Sequence, residues 1–281
     1  MAELSLHDMP NVAGDQRVLR ARRGWQPIDV ARLWRFRDLL WLLALRDIQV
    51  RYKQAALGAV WAVIQPLVLM IVFRTFLGRF TGRVDPVELF CVLVPWMFFA
   101  ATVTAASNSL VGNAELLRKV YFPRLIAPLA AVGAPLLDFG IAFVVLFGLM
   151  GWFGTTFSWQ LAMLPLLVGS TIVAALGVGI LMASLTVTYR DFRFVVPFAV
   201  QLGFFLTPVI YPISMPAHYA AWDWALYLNP MFGVIECFRA AVLSEPLDLM
   251  GWAISTASGV VLLGLGLVMF GRTERRFADV V

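Results

Sequence analysis

From Arg46 to Leu67 the chain reads RDIQVRYKQAALGAVWAVIQPL, passing without a linker from a cationic segment into an apolar one. Arg46, Asp47, Arg51 and Lys53 charge the first half, whereas Gln65 is the lone interruption between Ala55 and Phe73. A water-soluble core would have to bury those charges or leave the apolar run exposed. A bilayer accommodates both, with the charged part on its surface and the apolar part within it. Composition agrees: 14% of residues are charged, against about 25% in ordinary soluble domains.

A membrane-spanning helix needs about 20 mainly apolar residues. Six stretches qualify: 58–78, 88–111, 126–150, 160–188, 194–212 and 250–270. The expected fold is therefore an all-α polytopic membrane protein, with the long fourth stretch tilted or extending past the bilayer. Region 213–245 is apolar but broken by prolines and charges, which suits two short re-entrant helices shielded by protein or a water-filled cavity. Eighteen of the 22 Lys and Arg residues fall in segments on one side of these spans. By the positive-inside rule that side is cytosolic and holds both termini. The first 28 residues are polar, with no apolar core and no small-residue cleavage site. A flexible cytosolic lead without a cleaved signal peptide is expected, and the first span directs insertion.

Residues 29–54 have a helical pattern, with Leu42, Leu45, Ile48, Gln49 and Tyr52 on one face and Asp47, Arg51 and Gln54 on the other. Such a helix can lie among lipid headgroups or simply extend the first span into the cytosol. Cys91 and Cys237 stand far apart with no neighbouring ligand, so both read as packing residues. The chain has no phosphate-loop motif, no HExxH, no GxSxG and two histidines. Few ionisable groups fall within the spans, unlike the strings of them along proton-driven pathways. Neither an enzyme nor a proton-coupled pump is expected, and no metal site or nucleic-acid partner.

The loop GNAELLRKVYFPR (112–124) has the marks of a brief helix, with Asn113 to cap it, Glu115 in its first turn, Arg118 and Lys119 near its end and Pro123 to stop it. It suits docking into a groove on a partner, although charge alone favours an ordinary positive-inside turn. Trp96, Phe98 and Phe99 within the second span, and Tyr211, Trp222, Trp224 and Tyr227 toward the outer side, could offer flat faces to sugars or form an aromatic belt. Asp138 lies near the middle of the third span, where an isolated carboxylate costs about 2.5–3.5 kcal/mol. It belongs either on a channel wall or in a helix–helix hydrogen bond. Glu236 and Arg239, three residues apart, are expected to pair on one face of the second short helix and so stabilise an outer gate.

Taken in order, RDIQVRYKQ, Leu57–Gly58 with Trp61 and Gln65–Pro66, SNSLVGNAELLRKVYFPRLIAPLA, YRDFRFVVPF, FFLTPVIYP and LNPMFGVIECFR resemble the membrane subunit of type-2 ABC exporters. The polysaccharide and O-antigen branch is the nearest, with teichoic acid exporters close by. The likeness runs from Arg46 to Arg239 and includes the tail ERRFADVV. It implies a homodimer of six-span subunits that pairs with two separate ATP-binding subunits, which hold the ATP and magnesium. Asn113, Glu115, Leu116, Leu117, Arg118, Lys119 and Tyr121 would then form the coupling helix, with Tyr189, Arg190 and Asp191 in a second cytosolic turn near the same partner. The segment carrying Arg46, Asp47, Arg51, Tyr52 and Lys53 would be the interface helix beside the ATPase.

The function implied is export of a lipid-linked, O-antigen-like polysaccharide across a bacterial inner membrane, with spans one and five at the dimer seam. Teichoic acid or capsule export keeps the machinery and changes the cargo. A membrane glycosyltransferase would need convergent acidic or His side chains, and a secondary transporter would need inverted repeats; neither is visible.

Overall fold

The computed structural model describes residues 30–53, 58–81, 85–120, 122–209 and 223–273, and every regular element among them is helical. In order these are α1 (Val30–Arg35), α2 (Arg37–Lys53), α3 (Val60–Thr81), α4 (Pro86–Gly112), α5 (Ala114–Lys119), α6 (Ile126–Ala130) and α7 (Gly133–Phe153). A 3-10 turn (Trp159–Met163) leads into α8 (Leu164–Thr188), followed by α9 (Phe192–Leu206), α10 (Asp223–Leu226), α11 (Phe232–Leu243) and α12 (Leu249–Thr273).

Five stretches are long and apolar enough to cross a membrane: Val60–Arg79, Pro86–Gly112, Ile126–Phe153, Trp159–Thr188 and Leu249–Thr273. The chain is a multi-pass membrane protein. The span expected over 194–212 is represented by the 15-residue α9, about 22 Å long at 1.5 Å per residue. Thr207 is extended (φ −107°, ψ 142°), as a residue before proline is driven to be, and Pro208 ends the helix there. The third span is likewise interrupted at Ala131 and Val132, between α6 and α7. Pro135 has no N–H with which to bond the carbonyl of Ala131.

The core is built around α4, whose Phe90, Leu93 and Leu110 are fully buried. Asp85 caps this helix, accepting the Val87 N–H at 2.8 Å, and Pro86 opens it. α7, α8 and α11 pack around α4, and α12 lies along α8. In lipid, helices associate through close van der Waals contact, so small residues collect where backbones touch. A Cβ added to Gly177 of α8 would lie 2.8 Å from Leu263 N and 2.9 Å from Gly259 O of α12. Gly177→Leu should force α8 and α12 apart at a cost of about 1–3 kcal/mol, seen as a lower unfolding temperature in detergent.

α3 and α9 are the least covered of the long elements. Val68, Ile71, Val72 and Phe76 on α3, and Phe194, Phe198 and Leu202 on α9, are exposed. The helices divide the bundle into two ends. α2, α5, the end of α8 and the end of α12 share one, where Leu110, Leu125, Val187 and Phe270 form a common cluster. α10, α11 and the start of α4 share the other, where Arg239 meets Glu88.

Candidate functional site

At the first end, α5 is a single turn of helix raised between α4 and α6. Val120 is extended (φ −127°, ψ 131°) and stops it after Lys119. Leu116 and Leu117 point inward and pack against the cluster of Leu43, Phe122 and Ile126. Glu115, Arg118 and Lys119 point outward and are exposed, as is Val120. Asn113 does not cap the helix with its side chain, contrary to expectation. Its Nδ2 donates to Ser109 O at 2.8 Å, and its Oδ1 accepts from Arg46 Nη2 at 2.6 Å. Tyr189, Arg190 and Asp191 form the exposed turn between α8 and α9 at the same end. Tyr121, Tyr211 and Trp222, together with the side chain of Trp224, lie outside the described residues.

α2 lies across this end on α6 and α7. Its buried residues are Leu43 and Ala44, whereas Leu42 and Val50 are exposed, so the inward stripe differs from the expected one. Charged and apolar residues alternate around this helix without a single apolar face; contact with α6 and α7 selects the stripe, not periodicity. Arg46 pairs with Asp47 at 2.7 Å, and Lys53 is exposed. Arg51, expected on the face opposite Tyr52, is 48% exposed yet brings Nη2 to 2.8 Å from Asp138 Oδ2. The Tyr52 hydroxyl donates to Asp138 Oδ1.

These contacts supply the interhelical partner that a carboxylate in this span needs. Asp138 is the sixth residue of α7, and both of its oxygens are engaged by α2 in the helix–helix contact that was one of its two expected places. Burial, followed by the bond to Asp138 and its charge, pushes the Tyr52 hydroxyl up to about 12 against the opposing influence of Arg51. Tyr52 therefore remains a proton donor at any physiological pH.

Arg51, Tyr52 and Asp138 border a cavity of about 760 Å³. Its other walls come from α3 (Trp61, Gln65, Phe73), α4 (Trp96, Met97, Phe98, Thr104), α7 (Phe139) and α9 (Gln201, Phe204). The cavity is lined mostly by apolar side chains, with Gln65, Thr104 and Gln201 as polar members besides the group at the α2 end. Trp96 and Phe98 border it but are 5% and 3% exposed. Trp96 packs on Phe204 at 5.9 Å between ring centroids, and Phe98 on Phe139 at 5.0 Å. Phe99 is buried beside Trp96, 5.3 Å between centroids, away from the cavity lining. Trp61 and Gln65 stood out in the sequence only as parts of the first span's pattern, and Thr104 and Gln201 not at all, because each occupies an ordinary position in an apolar helix.

At the opposite end, the expected Glu236–Arg239 pair does not form. Arg239 instead reaches Glu88, with Nε 3.4 Å from Oε1, and its Nη2 donates to Pro208 O at 2.8 Å. One guanidinium thereby joins α11, the start of α4 and the end of α9. Glu236 lies 3.3 Å from the Tyr227 hydroxyl, which donates at 2.7 Å to Asp248 Oδ2. Burial and the bond to Asp248 raise the pKa of Tyr227. Asp248 also caps α12, accepting the Gly251 N–H at 2.9 Å. Tyr227 is therefore committed to a carboxylate network, not presented as a bare ring face. Glu88 went unnoticed in the sequence; its signal is an acid in the first turn of an apolar span with no basic neighbour on that helix.

Among the described residues no group of three or more His, Cys, Asp and Glu side chains could hold a metal ion. The family model described as ABC-2 type transporter matches residues 38–243. The O-antigen export system permease protein RfbA of Klebsiella pneumoniae is 29% identical over 250 residues, 87% of this chain and 95% of that protein. RfbA of Myxococcus xanthus is 28% identical over 254 residues, 89% of this chain and 98% of its own length. The polysialic acid transport protein KpsM of Escherichia coli is 26% identical over 247 residues, 83% and 92% of the two chains. With the family match covering most of the chain, including α2, α5 and the cavity walls, the protein belongs to the ABC-2 type transporter family.

Proposed function

We propose that this chain is the membrane-spanning subunit of an exporter that moves a lipid-linked, O-antigen-like polysaccharide across a bacterial inner membrane. The observation that carries the reading is similarity to O-antigen export permeases along nearly the whole length of both chains. The subunit works as a homodimer with two ATP-binding subunits that bind ATP and magnesium, so hydrolysis belongs to the partner. Both termini face the cytosol, on the side of α2 and α5.

The outward side chains of α5, Glu115, Arg118 and Lys119, suit docking on the ATPase, and the turn of Tyr189, Arg190 and Asp191 lies at the same end. α2 lies along the membrane surface beside that partner, with Lys53 and Arg37 toward anionic lipid headgroups. The exposed apolar faces of α3 and α9 suit the dimer seam. Two copies of the cavity would then meet along it and form one path. Closure of the ATPase moves α5 and so opens or closes that path. A second cargo, an acidic polymer like polysialic acid, is favoured by the likeness to KpsM.

Removing the chain from its bacterium should leave lipid-linked glycan on the cytosolic face and the cell surface bare of it. Resupplying the chain should restore the surface polymer. Normal surface glycan without the chain contradicts the reading.

A further inference from the structure

We propose that Asp138 is a positioning residue that ties α2, and through it the α5 turn, to the wall of the cavity. The inference rests on the ATP-driven export reading and names the part that carries motion inward. Three observations converge on it. First, α2 packs on α6 and α7, its Leu43 and Ala44 forming one cluster with Phe122, Ile126 and Ala130, on which Leu116 and Leu117 of α5 also pack. A Cβ added to Gly133 would meet Ala44 Cβ at 2.8 Å, so α2 touches the first residue of α7 with no intervening side chain.

Second, the Asn113 amide bonds Arg46 of α2 at 2.6 Å and Ser109 of α4 at 2.8 Å, at the point where α5 begins. Third, Arg51 and Tyr52, further along the same helix, hold the two oxygens of Asp138. Asp138 is part of the cavity lining. Charge-assisted bonds of this kind are about twice as strong as neutral ones; Arg51 is 48% exposed and so partly screened, whereas Asp138 is 20% exposed and also holds the Tyr52 hydroxyl. A displacement of α5 therefore reaches the cavity along α2, entering at Arg46 and leaving at Asp138.

The test uses the full chain in complex with its ATP-binding subunit, reconstituted in lipid vesicles, and reads glycan exported per ATP hydrolysed. Failure of the unaltered complex to export on ATP would refute the export reading itself. With export established, Asp138→Ala should lower the ratio about five- to ten-fold. Asp138→Asn, which keeps an acceptor for Tyr52 but not the charge for Arg51, should fall between. Arg51→Asp combined with Asp138→Arg should recover most of the loss, which a residue needed merely for folding would not do. Arg46→Ala, on a partly exposed side chain, keeps the test available should Asp138→Ala fail to fold, and should lower the ratio in the same direction. An unchanged ratio in Arg46→Ala or Asp138→Ala, or an exchanged pair that rescues nothing, overturns the tie.

Discussion

Reversing Glu115 and Arg118 together, as Glu115→Lys with Arg118→Glu, should cut export by about ten- to a hundred-fold while the subunit folds and inserts normally. Both side chains are exposed on a six-residue helix whose inward positions are Leu116 and Leu117. Exposed substitutions of this kind usually change stability by less than about 0.5 kcal/mol. Like charges set against each other across an interface cost several kcal/mol, and about 3 kcal/mol already corresponds to some 150-fold. The paired measurements are surface glycan in cells and the unfolding temperature of the purified subunit. Leu116→Ala with Leu117→Ala should give the opposite pattern, lowering the unfolding temperature by loosening α5 from α2 and α6. Export that survives the charge reversal would remove α5 from the docking surface.

The second large effect concerns stability. Arg239 is 9% exposed at its side chain and faces Glu88, 24% exposed, across 3.4 Å. Removing one member of a buried pair strands the other charge, and typically costs about 3–5 kcal/mol. Arg239→Ala should fall in that range, because Pro208 O also loses its donor. Replacing both, as Arg239→Met with Glu88→Gln, should regain much of the loss, since a buried pair exchanged for fitting neutral residues is often near neutral. Glu236→Gln should cost far less, because Tyr227 remains bonded to Asp248. Thermal unfolding in detergent of these single variants and the double variant checks the order. If Glu236→Gln proved the costlier change, Arg239 would have Glu236 and not Glu88 as its partner.

Five of the long helices were legible in the sequence because a bilayer demands about 20 apolar residues in a row, a pattern read without knowledge of tertiary contacts. The break after α5 was legible for a similar reason, through Asn113, Pro123 and the charges between them. Pairing was not. Glu236 and Arg239 satisfy the helical spacing rule, yet Arg239 turns to a residue far earlier in the chain, because α11 packs on α4. The partners of Asp138 could not be named for the same reason: Arg51 and Tyr52 belong to a helix whose charged and apolar residues are spread around its axis, so periodicity does not give its inward face. α9 ended sooner than its hydropathy suggested, because Pro208 dictates the backbone of Thr207 while leaving the stretch apolar. Of the aromatic set, Trp96 and Phe98 do border the cavity. Local patterning cannot distinguish such rings from Phe99, one residue on, which packs away from it.

On the proposed function, a lipid-linked glycan crosses only when a separate ATP-binding subunit drives this chain. The direct measurement reconstitutes both subunits in vesicles loaded with labelled lipid-linked polysaccharide, then follows the label's accessibility on the far face. The account predicts that accessibility rises with the partner and ATP together, and with neither alone. Movement driven by an ion gradient without the partner, or elongation of the glycan in place of its transfer, would contradict it.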